Sequence, residues 1–82
     1  MRLPRDLTGD DLARALAAFG YAATRQTGSH LRLTTQEFGE HHVTIPRHSP
    51  LRMGTLSAIL GDVASHRHLP RADVVLQLFG ER

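Results

Sequence analysis

Gly28-Ser29-His30 is where this 82-residue chain first offers chemistry. An imidazole titrates near neutrality, so it can take or give a proton at physiological pH. This one follows a glycine-serine turn, where the backbone bends sharply and a phosphate can come close. Arg32 stands two residues on, and on a strand that spacing puts both side chains on one face. A proton carrier beside a guanidinium suits a reaction at a phosphate. Ser29 lacks a Ser/His/Asp constellation, so it is read as a turn residue that offers its backbone N–H.

The cations share one type. All ten basic side chains are arginine, and there is no lysine. A guanidinium keeps its charge and presents a planar fork that matches phosphate. Residues 12–36 carry Arg14, Arg25 and Arg32 without an acid, and residues 41–61 carry Arg47, Arg52 and three histidines without one. Such blocks could gather into a positive surface, although a formal net charge of +2 does not by itself demand nucleic acid. Arg25, Arg32, Arg47 and Arg52 are the candidate phosphate contacts. Gly28 and Ser29 join them at the turn. Gly54 and Thr55 would add the free amides of a helix N-terminus.

Six histidines also raise the question of a metal. His41 and His42 are adjacent, so on a regular strand they point to opposite faces and do not share an ion. His66 and His68 have no evident carboxylate or cysteine companion. The chain has no cysteine, which excludes disulfides and thiolate sites. No metal and no cofactor is expected.

Positioning these residues takes a small α+β fold. Thr8 with Asp11 reads as a capping box, and Leu12, Leu16 and Phe19 form the apolar stripe of a helix closed by Gly20. Residues 21–27 read as a weak strand. His30 to Thr34 and His42 to Ile45 alternate cleanly, with turns at 28–29 and 36–40, and Pro46 ends the third strand. Short loops favour an antiparallel meander. A second helix opens at Gly54-Thr55 and buries Leu56, Ile59, Leu60 and Val63. A hinge at 65–69 leads to a last helix that starts at Pro70, buries Val74, Val75, Leu78 and Phe79, and ends at Gly80. Helices would cover one face of the sheet and leave His30, Arg32, Thr34, His42 and Thr44 together on the other.

Length bounds this to one domain, residues 1–82, with a core over 7–63 and a helical extension over 66–82. No apolar run is long enough for a membrane span, and the N-terminus has no signal-peptide core, so no membrane partner and a cytoplasmic location are expected.

Residues 20–30, Gly-Tyr-Ala-Ala-Thr-Arg-Gln-Thr-Gly-Ser-His, resemble the HicA (YcfA-like) toxins, which pair a helix-ending glycine and an aromatic with Arg-Gln-x-Gly-Ser-His. The likeness continues at Val43-Thr44-Ile45-Pro46 and at Gly54-Thr55-Leu56-Ser57-Ala58-Ile59-Leu60, three blocks in the family's order. Family members commonly carry lysines after the Val-Pro strand, where this chain has Arg47-His48-Ser49-Pro50-Leu51-Arg52. The resemblance implies a fold like the double-stranded-RNA-binding domain, which agrees with the α-β-β-β-α order and three-stranded antiparallel sheet read from the residues; the extra C-terminal helix goes beyond the shortest family members. It implies a toxin of a type II toxin–antitoxin system that cuts messenger RNA as a metal-independent endoribonuclease, a stress-response role, and a HicB-type antitoxin partner, with a homo-oligomer formed through that complex. In that chemistry His30 is the general acid or base and the arginines stabilise the phosphorane. His42, from the neighbouring strand, or His48, from the loop, is the candidate second proton-transfer group. Water, a phosphate oxygen or His30 acting twice would serve instead. The competing reading is a non-catalytic RNA-binding module of the same fold, and a third is a domain whose basic face docks an acidic protein.

Overall fold

The computed structural model describes residues 3–47 and 50–80. Helix α1 spans Gly9–Leu16 and starts on the capping box predicted from Thr8 and Asp11. The Asp11 amide donates to Thr8 Oγ1 at 3.0 Å, and the Thr8 amide donates to Asp11 Oδ2 at 3.2 Å. Those hydrogen bonds with Thr8, backbone first, hold the Asp11 carboxyl below its ordinary range, helped less by Arg14. The helix tightens into a 3₁₀ turn at Ala17–Phe19 before Gly20 turns the chain.

Three strands follow: β1 (Ala22–Thr27), β2 (His30–Thr35) and β3 (His41–Pro46). They form an antiparallel sheet in the order β1-β2-β3. Helix α2 runs over Met53–Arg67 and α3 over Arg71–Phe79. The order is the α-β-β-β-α of the double-stranded-RNA-binding-domain type with an added helix.

The helices lie over the face from which Leu33, Val43 and Ile45 project. Leu12, Leu16, Leu33, Ile45, Leu56, Leu60, Val63 and Val74 are fully buried, and each side chain so buried stabilises the fold by about 1.5–3 kcal/mol before entropy is counted. Val74 and Val75 pack into the same core. The C-terminal helix therefore completes the interior.

One boundary differs from the sequence expectation. Instead of breaking at residue 65, α2 continues to Arg67 and ends at His68 in the left-handed conformation. Its last turn has partners across the molecule. His66 Nε2 lies 2.9 Å from the Glu37 carbonyl oxygen and 3.1 Å from that of Gly39, and Arg67 Nη1 donates to Glu37 Oε1 at 2.9 Å. The Arg67 guanidinium sits over the Phe19 ring, 4.1 Å from its centre. The His66 ring also stacks on His41, which bonds Tyr21 through Nδ1 at 2.7 Å and Asp62 through Nε2 at 3.3 Å. The helix end thereby clamps the β2–β3 turn onto the body of the protein.

Candidate nucleic-acid interface

Gly28 takes φ +53° in the turn between β1 and β2, a conformation that suits a residue without Cβ. His30 follows as the first residue of β2, is exposed, and faces Thr27 on one side and Pro46 on the other. Among the described residues no group hydrogen-bonds its ring. The Arg47 amide donates to the Ser29 carbonyl at 2.7 Å, which ties the turn to the end of β3.

From His30 the open face continues at steps of about 7 Å per two residues along the strand. The register sets Arg32 opposite Thr44 and Thr34 opposite His42. The expected grouping of His30, Arg32, Thr34, His42 and Thr44 on one face is what the pairing produces.

Arg25 reaches this face by a different route. β1 pairs regularly through Ala22–Thr34 and Ala23–Leu33, and then the register shifts so that Arg25 lies opposite Arg32. Thr24 is the extra residue, a β-bulge. Were Thr24 paired in strict alternation, Arg25 would fall on the same side as Ala23 and Leu33, away from the open face. With the bulge, two guanidinium side chains face each other across neighbouring strands. Like charges directly opposite destabilise a sheet. Among the described residues neither has a carboxylate within ion-pair distance.

The two arginines line a cleft of about 540 Å³ together with Thr24, Thr34, Gln36, Glu40 and His42. Its far wall is a chain of polar contacts. Thr24 Oγ1 and Thr34 Oγ1 are 2.9 Å apart, Thr34 Oγ1 and His42 Nδ1 are 2.7 Å apart, and His42 Nε2 lies 3.0 Å from Glu40 Oε2. His42 is thus engaged at both ring nitrogens. It stands level with Thr34, four residues and about 13 Å along the strand from His30.

The remaining candidates lie elsewhere. Arg47 is held by Asp10 of α1 through Nε at 3.0 Å and Nη2 at 3.1 Å, so its charge is already paired. Arg52 is exposed at the N-cap of α2, and Gly54 and Thr55 lie in that helix's first turn; none of the three lines the cleft. His48 lies outside the described residues. Sequence reasoning passed over Thr24, Gln36 and Glu40. The only local sign of them was Glu40 itself, one of two acids, with Glu37, between the two acid-free blocks.

A family model described as the HicA toxin of bacterial toxin–antitoxin systems matches residues 9–64. No curated protein and no solved structure matches the chain. No helix among the described residues is long and apolar enough to cross a membrane.

Proposed function

The chain belongs to the HicA toxin family, and from that premise we propose that it is an endoribonuclease that cuts messenger RNA without a metal, with His30 as its proton-transfer residue. The observation that carries this reading is the Arg25–Arg32 pair, two like charges opposed across the sheet on the same open face as His30. A fold keeps such a repulsion where an anion relieves it, and the phosphodiester backbone is an anion that two guanidinium forks suit.

In the proposed reaction His30 takes the proton from the ribose 2′-hydroxyl. The 2′-oxygen attacks the adjacent phosphorus, and the bond to the 5′-oxygen of the next nucleotide breaks. The leaving oxygen takes a proton from water or from the His30 imidazolium. The products are a 2′,3′-cyclic phosphate and a free 5′-hydroxyl. Arg32, two residues from His30 on the same face, and Arg25 across from it hold the strand and balance the charge that builds on the phosphorane. His42 stands too far along the strand to serve the same phosphate while Thr34 and Glu40 hold its ring. A HicB-type antitoxin would silence the toxin by covering the open face.

The test is cleavage of a labelled messenger by purified protein in EDTA. The wild type cuts RNA and leaves a fully deoxy strand intact. His30→Ala lowers the rate by about 10²–10⁴-fold, with the circular dichroism spectrum preserved, since the side chain is exposed. RNA bound but left whole by the wild type would replace the nuclease with a binding module.

A further inference from the structure

Glu40 sits oddly for a surface that grips RNA. It is the one carboxylate lining a cleft that also holds Arg25 and Arg32, and an anion there repels the phosphate backbone. Yet it is not neutralised by either arginine. It is steadied by His42, whose ring is in turn held by Thr34 and, through Thr34, by Thr24. With Nε2–H turned to the carboxylate, Nδ1 is left to accept the Thr34 hydroxyl proton. The arrangement fixes the position of Glu40 Oε2 and leaves Oε1 without a partner among the described residues. The turn that delivers Glu40 is itself pinned from behind by His66 and Arg67.

A preset carboxylate is a pure hydrogen-bond acceptor. Among the four RNA bases, only guanine presents two adjacent donors on its Watson–Crick edge, the ring N1–H and the 2-amino group. Adenine and cytosine offer a single amino group beside an acceptor nitrogen. Uracil offers one N–H flanked by two carbonyl oxygens, which a carboxylate repels. Gln36, on the same cleft, carries an amide N–H that can donate to guanine O6. The cleft volume of about 540 Å³ is within the range that holds a small ligand such as a nucleoside. It begins at Arg32, one side-chain step along the open face from His30.

We propose that this cleft is a guanine-recognition subsite, in which Glu40 reads the N1–H and 2-amino edge of a base flanking the cleaved bond, Gln36 donates to its O6, and His42 is the positioning residue for the carboxylate. This rests on the ribonuclease reading above. It assigns the acid a selective role: a guanine offsets the repulsion that Glu40 imposes on the strand, and other bases do not.

The experiment uses a single-stranded oligoribonucleotide pool randomised around its centre, cut by the purified full chain and sequenced at the cut ends. Guanosine is expected at a fixed offset from the cleaved bond. On single sequences, kcat/KM for the guanosine oligonucleotide should exceed that of its adenosine twin by about 10- to 100-fold, and inosine, which lacks the 2-amino group, should lose most of that advantage. Glu40→Gln should bring the guanosine-to-adenosine ratio to within about threefold, since a glutamine amide no longer favours two donors. His42→Phe, which keeps Glu40 but removes its support, should lower the ratio part of the way, mainly through KM. RNA cut without guanosine enrichment, inosine cut as fast as guanosine, or Glu40→Gln retaining the wild-type ratio would each overturn the subsite and leave the nuclease standing. A wild type that cuts no RNA removes both.

Discussion

Replacing Arg25 by glutamine should make the protein more stable and a poorer binder of RNA, and the size of each effect follows from the register. Arg25 faces Arg32 directly, and opposed residues have Cβ atoms about 4.5–5.5 Å apart. Their long stems let the guanidinium groups splay, and at about 8 Å two unit charges in water repel by about 0.5 kcal/mol. Ionic strength of 0.1 M roughly halves that. Arg25 is exposed, so the substitution opens no cavity. At low salt Tm should rise by about 2–4 °C, and the gain should shrink as salt is added. Arg32→Gln relieves the same repulsion, so the double variant should gain no more than the better single. Affinity for a single-stranded RNA with uncuttable 2′-O-methyl riboses should move the other way, with the slope of log K against log salt reduced by about 0.7 for one lost phosphate contact. Fluorescence anisotropy across a salt series reads this. A variant whose Tm falls at every salt concentration, with RNA affinity and slope unchanged, would refute the opposed-charge reasoning.

Two further outcomes concern the scaffold. Tyr21 is the only tyrosine, so tyrosinate absorbance reports on it alone. Burial first, then the Asp62 and Glu37 carboxylates, against the opposing Arg67, push its hydroxyl up to about 12 from 10.0. The folded state therefore holds the proton more tightly than the unfolded chain. Stability from this source is complete below pH 10 and declines as pH rises from about 10 to about 12; Tyr21→Phe should flatten unfolding curves over that window alone. At Gly9, an added Cβ would lie 2.4 Å from the Pro46 carbonyl oxygen and 3.0 Å from Arg47 Cα. Alanine's helix preference is worth about 0.5–1 kcal/mol, whereas forcing backbone apart costs about 1–3 kcal/mol. Gly9→Ala should therefore lower denaturant midpoints, and it should weaken the Asp10–Arg47 contact.

Much of the architecture was legible because it is written locally. Thr8 and Asp11 bond within one turn, and His30, Arg32 and Thr34 separate from Leu31 and Leu33 by simple alternation. The cleft was less legible, because its parts meet only through pairing. Ala22-Ala23-Thr24 has no apolar rhythm against which an irregularity would stand out, so the bulge leaves no mark in the sequence. Arg47 looked like a free cation until Asp10, 37 residues away, met it. Glu40 looked like a turn residue because its neighbours His42 and Thr34 converge on it only after β2 and β3 pair. The run-on of α2 depended on contacts from His66 and Arg67 to a turn far earlier in the chain.

The bulge at Thr24 acts as a phase shift. Before it, the odd-numbered Ala23 shares the face of Leu33; after it, the even-numbered Gln26 shares the face of Leu31. Deleting that one residue would make the ladder regular and leave Arg25 opposite Arg32, taking only the Thr24 hydroxyl from the cleft. What the extra residue adds is a doubling: Thr24 and Arg25, neighbours in the chain, both line the cleft, which strict alternation along a regular strand would forbid.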